Sequence, residues 1–262
     1  MSGQGPVEAV TSEWIKLRSV RSTLYTLAVT VFLCVGIGAL ISFGRGSHAS
    51  KTEGGFIFDP TRVSLQGFFI AEISIGVIGV LIISSEYATG SIRATLAATP
   101  NRLSVLAAKT VVLFAATLVV GQFCSFLSFF VGQAILAGQG ASSATLSTPG
   151  ALRGVLLAGL SLALLAVFAM GIGTMLRHTA GAVTVYVAIL LVSFLILAAL
   201  PTDWQHTVSK FLPEVLTESM RSATQSGGPF SAFSALTSTL VLAAYAVAAF
   251  VGGAVLLVRR DA

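Results

Sequence analysis

The sequence predicts an all-α polytopic membrane protein of six transmembrane helices, and three observations carry that reading. Only 10% of the 262 residues are Asp, Glu, Lys or Arg, where a soluble domain carries roughly 25% to cover its surface. Hydrophobic residues make up 55%, and the mean hydropathy is +0.92. The apolar stretches are long and do not alternate, which argues against an outer-membrane barrel. The same composition excludes an ordinary soluble enzyme, a disordered chain and a nucleic-acid-binding domain. The net charge of +5 fits Lys and Arg gathered in cytoplasmic loops.

The first element expected is an amphipathic elbow helix over residues 7–21, VEAVTSEWIKLRSVR. Val7, Val10, Trp14 and Leu17 recur at +3, +4, +3, which places them on one helical face. A Trp on that face with Lys16 and Arg18 on the polar side suits the membrane interface. The plainer reading is a positive flank that orients the first span.

Spans are expected over 24–43, 67–84, 105–136, 155–176, 182–200 and 236–258, since about 20 mostly apolar residues cross a bilayer. The third window is too long to lie wholly in the hydrocarbon. The first is longer than the core of a secretory signal and lacks a small-x-small cleavage site, so it reads as a retained span. Six spans put both termini on one side. Taking that side as cytoplasmic places nine of the 15 Lys and Arg residues inside, close to the span ends, as the positive-inside rule expects.

Between the second and third spans, residues 86–104 carry Gly90 and Pro100 around a stretch long enough for two to three helical turns. Ile92 and Leu96 stand at i, i+4 and would share a face, and Pro100 stops the helix. This segment reads equally as a membrane-parallel helix that docks a soluble partner or as a solvated loop. The fourth and fifth spans join through a short turn at Leu176-Arg177-His178-Thr179, where His178 reads as a solvated side chain. The segment 201–235 is expected to form a cap of one or two short amphipathic helices on the outer face. In it Trp204, Val208, Phe211, Leu212, Val215 and Leu216 follow helical spacing around Pro213, with Thr202 or Asp203 as the capping residue.

No phosphate loop, H-E-x-x-H or G-x-S-x-G motif is present, so no catalytic residue and no metal site is assigned. His48, His178 and His206 are scattered over both sides. Cys34 and Cys124 lie in apolar runs and read as small hydrophobes. Glu72 stands five residues into the second span, roughly 8 Å below its outer edge. A charge at the centre of a span costs about 2.5–3.5 kcal/mol. Glu72 therefore either lines a substrate or ion route, or bonds a neighbouring helix or reaches outward to water. In the sixth span Ala244, Ala248 and Gly252 form a small-residue stripe suited to close helix packing, within the chain or between subunits.

Three segments, taken together and in order, resemble the membrane subunit of a bacterial ABC exporter of the type-2 permease superfamily. They are ISSEYATGSIRATLAATPNRLSVLAAK at 83–109, GIGTMLRHTAGA at 171–182 and TSEWIKLRSVRS at 11–22. The resemblance implies two permease subunits, identical or paralogous, each docked on a separate ATP-binding cassette subunit. It implies a multi-pass protein of the bacterial cytoplasmic membrane, in contact with lipid. This chain would bind no cofactor, ATP and Mg belonging to the partner subunit.

The coupling helix would carry Glu86, Tyr87, Gly90, Ile92, Arg93, Leu96, Pro100 and Arg102. Glu86 and Arg93 would pair with the ATPase, and Ile92 and Leu96 would fill its groove. Substrate would leave the cytoplasm or inner leaflet by alternating access. The rival readings are an ATP-independent secondary transporter or channel that uses Glu72, and a non-transporting membrane scaffold.

Overall fold

The computed structural model describes residues 6–19, 21–47, 58–92, 102–199, 201–224 and 232–259. Among the described residues the regular elements are all helices. They are α1 (Pro6–Ser19), α2 (Arg21–Gly46), α3 (Pro60–Ser64), α4 (Phe68–Ala88), α5 (Arg102–Gly138), α6 (Ala151–Leu176), α7 (Thr179–Ala199), α8 (Thr202–Val208), a 3-10 turn (Ser209–Phe211), α9 (Pro213–Arg221) and α10 (Ala235–Arg259).

Five of these helices are long and apolar enough to cross a membrane: α2 from Leu24, α4, α5, α6 and α10. Helix α7 (Thr179–Ala199) stands where the fifth span was expected, and its apolar part includes Thr179–Val192. Its backbone stays helical to Ala199. The 37 residues of α5 span about 55 Å at 1.5 Å per residue. That exceeds the roughly 30 Å of a hydrocarbon core, so α5 projects beyond it.

Helix α6 forms the centre of the bundle and packs against α4, α5, α7, α9 and α10. Small side chains allow this: Gly154, Ala158, Gly159, Ala163, Ala166 and Gly171 are all buried. Its apolar window is 72% buried, against 17% for α2, which lies at the periphery. Where α6 crosses α10, a methyl on Gly171 would overlap Ala249. The α10 face that packs inside the chain is Leu242, Ala246, Ala249, Gly253 and Leu257. Ala244 and Ala248 are exposed and Gly252 is half-buried. The stripe expected from sequence is therefore not the intrachain packing face. One residue turns a helix by about 100°, and alanines occur on several faces of α10.

A second close approach joins α4 and α7. A methyl on Gly76 would fall within the Tyr186 ring, and the buried Tyr186 hydroxyl donates to the Glu72 carbonyl at 2.8 Å. Overpacking of a filled core costs about 1–3 kcal/mol. Gly76→Ala should lower thermal stability in detergent by an amount in that range, and a wild-type melting midpoint would show that Tyr186 moves aside without cost.

The loop into α4 contains a helix the sequence reading did not anticipate. Asp59 caps α3 by accepting from the Arg62 amide at 3.1 Å, with Pro60 in the first turn. At α8 the helix begins one or two residues earlier than capping by Thr202 or Asp203 would place it. Pro201 takes the N-cap position and no side chain caps it. His178 is exposed, and its Nδ1 accepts from the Gly181 amide at 3.2 Å, so it caps the first turn of α7.

Candidate functional site

Charged side chains gather at the two ends of the bundle. At one end α1, the C-terminal end of α4 and the N-terminal end of α5 meet around Lys109. Its ammonium donates to Glu13 Oε2 at 2.6 Å and to Glu86 Oε1 at 2.7 Å. Lys16 donates to Glu13 Oε1 at 2.8 Å and lies 3.4 Å from Glu86 Oε1. The Lys109 side chain is 1% exposed. Burial of such a charge is tolerable only when it is paired and hydrogen-bonded, and here two lysines face two glutamates. Burial would by itself lower the Lys16 ammonium, but the hydrogen bond and charge of Glu13, followed by those of Glu86, outweigh it. Lys16 therefore titrates above its ordinary value.

The same end is braced by two arginines. Arg177 holds a left-handed backbone at φ 53°, uncommon for a residue other than glycine. Its guanidinium lies 5.1 Å from the centre of the Tyr87 ring and donates to the Leu256 carbonyl at 3.2 Å. Arg102 donates to the Leu257 carbonyl at 3.0 Å. Both carbonyls lie in the last turn of α10, where backbone acceptors lack helical partners and cations are favoured. Gly90 closes α4 at φ 72°, with its amide on the Tyr87 carbonyl at 3.2 Å. This is the left-handed position that a helix C-terminus reserves for glycine.

At the opposite end α9 delivers Arg221 to α4. Its two terminal nitrogens bond Glu72 Oε1 and, at 3.2 Å, Glu214 Oε1. Arg221 also lies 6.0 Å from the centre of the Phe68 ring. Arg62 of α3 pairs with Glu218 of α9. Asp59 accepts from the Ser222 hydroxyl and from the amides of Ala223 and Thr224, at 2.9, 2.8 and 3.1 Å. One acid thus caps α3 and anchors the end of α9.

A family model described as ABC-2 family transporter protein matches residues 9–194, more than half of the chain. The chain belongs to the ABC-2 transporter family. No curated protein matches its sequence. The match runs from α1 into α7, so α9 and α10 of this ABC-2 family member lie beyond it.

The structure distributes the expected site residues of this ABC-2 protein unevenly. Glu86, Tyr87 and Arg102 come together at the α1 end, each engaged within the chain. Ile92 departs from expectation. It is 4% exposed and belongs to the core that also holds Leu106 and Leu257, so it packs inward and leaves no side chain free for a partner's groove. Arg93, Leu96 and Pro100 lie outside the described residues. In α1 Trp14 and Arg18 are exposed, Lys16 joins the ion cluster, and Leu17 is half-buried. Along α1 Glu13 is buried and Val10 and Leu17 are half-buried, with Trp14 exposed at the edge of that face. Glu72 is fully buried and bonds Arg221, in place of reaching outward to water.

Glu13, Lys109, Glu214 and Arg221 carry no role in the sequence reading. A signal existed for Lys109, the one charge in the expected span 105–136. An ionisable residue within an apolar span marks a site by default. Counting it with the cytoplasmic flank hid that. Arg221 and Glu214 gave no such signal, because both lie in a polar segment.

Proposed function

We propose that this chain is the permease subunit of an ATP-driven exporter in the cytoplasmic membrane of a bacterium. Its six spans are α2, α4, α5, α6, α7 and α10, with both termini in the cytoplasm and α8 and α9 capping the outer face. Two permease copies, or this chain and a paralogue, pair in the membrane, and each docks a separate ATP-binding subunit that carries ATP and Mg. Substrate leaves the cytoplasm or inner leaflet as the pair alternates between inward- and outward-open states.

Membership of the ABC-2 family supports this reading, and the observation that carries it is the Lys109 cluster. Lys109 ties the elbow helix to both helices that flank the segment 86–104. A push on that segment would reach α1, α4 and α5 together, because their ends share one set of buried ion pairs. In this reading α1 lies on the cytoplasmic surface as the elbow, and 86–104 is the coupling segment.

The test is affinity purification of the tagged full chain from its native membrane in mild detergent. A phosphate-loop ATPase should accompany it. Arg93→Glu should reduce that ATPase by at least about tenfold, since like-charge contacts across an interface cost several kcal/mol. Arg93 is a cleaner probe than Glu86, which the chain already uses to hold Lys109. Recovery of the chain without an ATPase, or equal recovery with Arg93→Glu, would sink the docking assignment.

A further inference from the structure

We propose that the carboxyl groups of Glu72 and Glu214 together bind one proton beside Arg221, forming a proton-dependent latch between α4 and the cap helix α9. The inference goes beyond the exporter reading and stands whether or not an ATPase docks.

One guanidinium faces two carboxylates. Arg221 bonds Oε1 of each, and all three side chains are buried, Glu72 completely. With both acids ionised the triad carries one uncompensated negative charge in a medium that tolerates none. The two carboxyl groups meet on one guanidinium, yet Oε2 of Glu72 and Oε2 of Glu214 are buried and receive no hydrogen bond from the protein, the neighbouring Thr217 hydroxyl donating to the Glu214 carbonyl at 3.0 Å. Two buried acceptors held by one guanidinium lack a donor. A proton on one of them supplies it and brings the triad to neutrality, as in other pairs of carboxylates that share a site.

Charges on the neighbouring elements are committed elsewhere. Arg62 of α3 pairs with Glu218. Arg153 of α6 donates to the carbonyls of Ser222 and Ala223 at 3.1 and 3.2 Å. Asp59 is held by the hydroxyl of Ser222 and the amides of Arg62, Ala223 and Thr224. Tyr186 of α7 gives its hydroxyl proton to the Glu72 carbonyl. Cys34 of α2 adds a thiol near Arg221. The elbow end provides the contrast: two lysines balance two glutamates there, and no proton is needed.

As pH rises the proton passes to water. Glu72 and Glu214 are then both anionic on one arginine, and α9 is repelled from α4. Raising pH therefore removes stability.

Infrared spectroscopy of the purified full chain in nanodiscs at pH 7 tests this directly. The wild type should show a protonated-carboxyl C=O band that shifts in D2O. Glu214→Gln and Glu72→Gln should each abolish it, because the remaining carboxylate then pairs alone with Arg221. Thermal unfolding is the second readout. The wild-type midpoint should fall as pH rises, while Glu214→Gln, whose amide donates permanently to Glu72, should lose that slope. Absence of the band in the wild type overturns the proposal whatever the variants do. A band retained in both variants, or an unchanged pH slope in Glu214→Gln, overturns it as well.

Discussion

Lys109→Ala will unseat the elbow helix. The substitution removes the ammonium that bridges Glu13 and Glu86 at 2.6 and 2.7 Å. It leaves two glutamates of little exposure with only the partly exposed Lys16 between them. Breaking a buried ion pair by removing one partner costs about 3–5 kcal/mol, because the remaining charge loses its compensation. Replacing the whole cluster with neutral groups is far less costly, so Glu13→Gln/Lys109→Met/Glu86→Gln should recover most of the loss. Trp14 lies in α1 and Trp204 in α8, and the chain has two tryptophans. In a Trp204→Phe background, Trp14 fluorescence should report early detachment of α1 in Lys109→Ala on heating. Unchanged unfolding of Trp14 would show that the cluster does not hold α1.

Arg221→Met will release the cap with an effect of similar size. Arg221 reaches Glu72 across 149 positions of sequence, and its loss strands two buried carboxyl groups. The cost at neutral pH is again about 3–5 kcal/mol. It should shrink as pH falls, because protonation of both acids removes the stranded charge. Adding Glu72→Gln and Glu214→Gln should restore most of the stability at neutral pH. In a Trp14→Phe background, Trp204 should report the loss of α8 and α9 before the bundle melts. If Arg221→Met melts like the wild type, the Glu72 pairing contributes nothing to the cap.

The two clusters differ in how far the sequence revealed them. Glu72 stood out because a carboxylate within an apolar run is costly, and the cost is visible in one dimension. Its partner was not visible, since Arg221 sits in a polar segment among other charges. Glu86 was singled out for an outside partner, and the structure binds it to Lys109. Ile92 was assigned to a docking face, and the structure buries it. Both placements have one cause: a short polar segment shows which residues it contains, but not which way a helix end turns them. The small-residue stripe of α10 is not the intrachain packing face for a related reason. Alanine on several faces satisfies close packing equally, and only contact with Gly171 and Thr174 of α6 selects Ala249 and Gly253.

The sequence alone determined that this chain is made of long apolar helices, where most of them begin and end, and that it resembles an ABC-2 permease. Those properties depend on local hydropathy, on breakers such as Gly90, and on short strings of residues. The tertiary structure decided which charges neutralise one another: Lys109 with Glu13 over 96 positions, Glu72 with Arg221 over 149, and Arg62 with Glu218 over 156. In an apolar bundle an ion pair is chosen by whichever helices bring opposite charges to the same depth, and that depth is a property of the packed helices together.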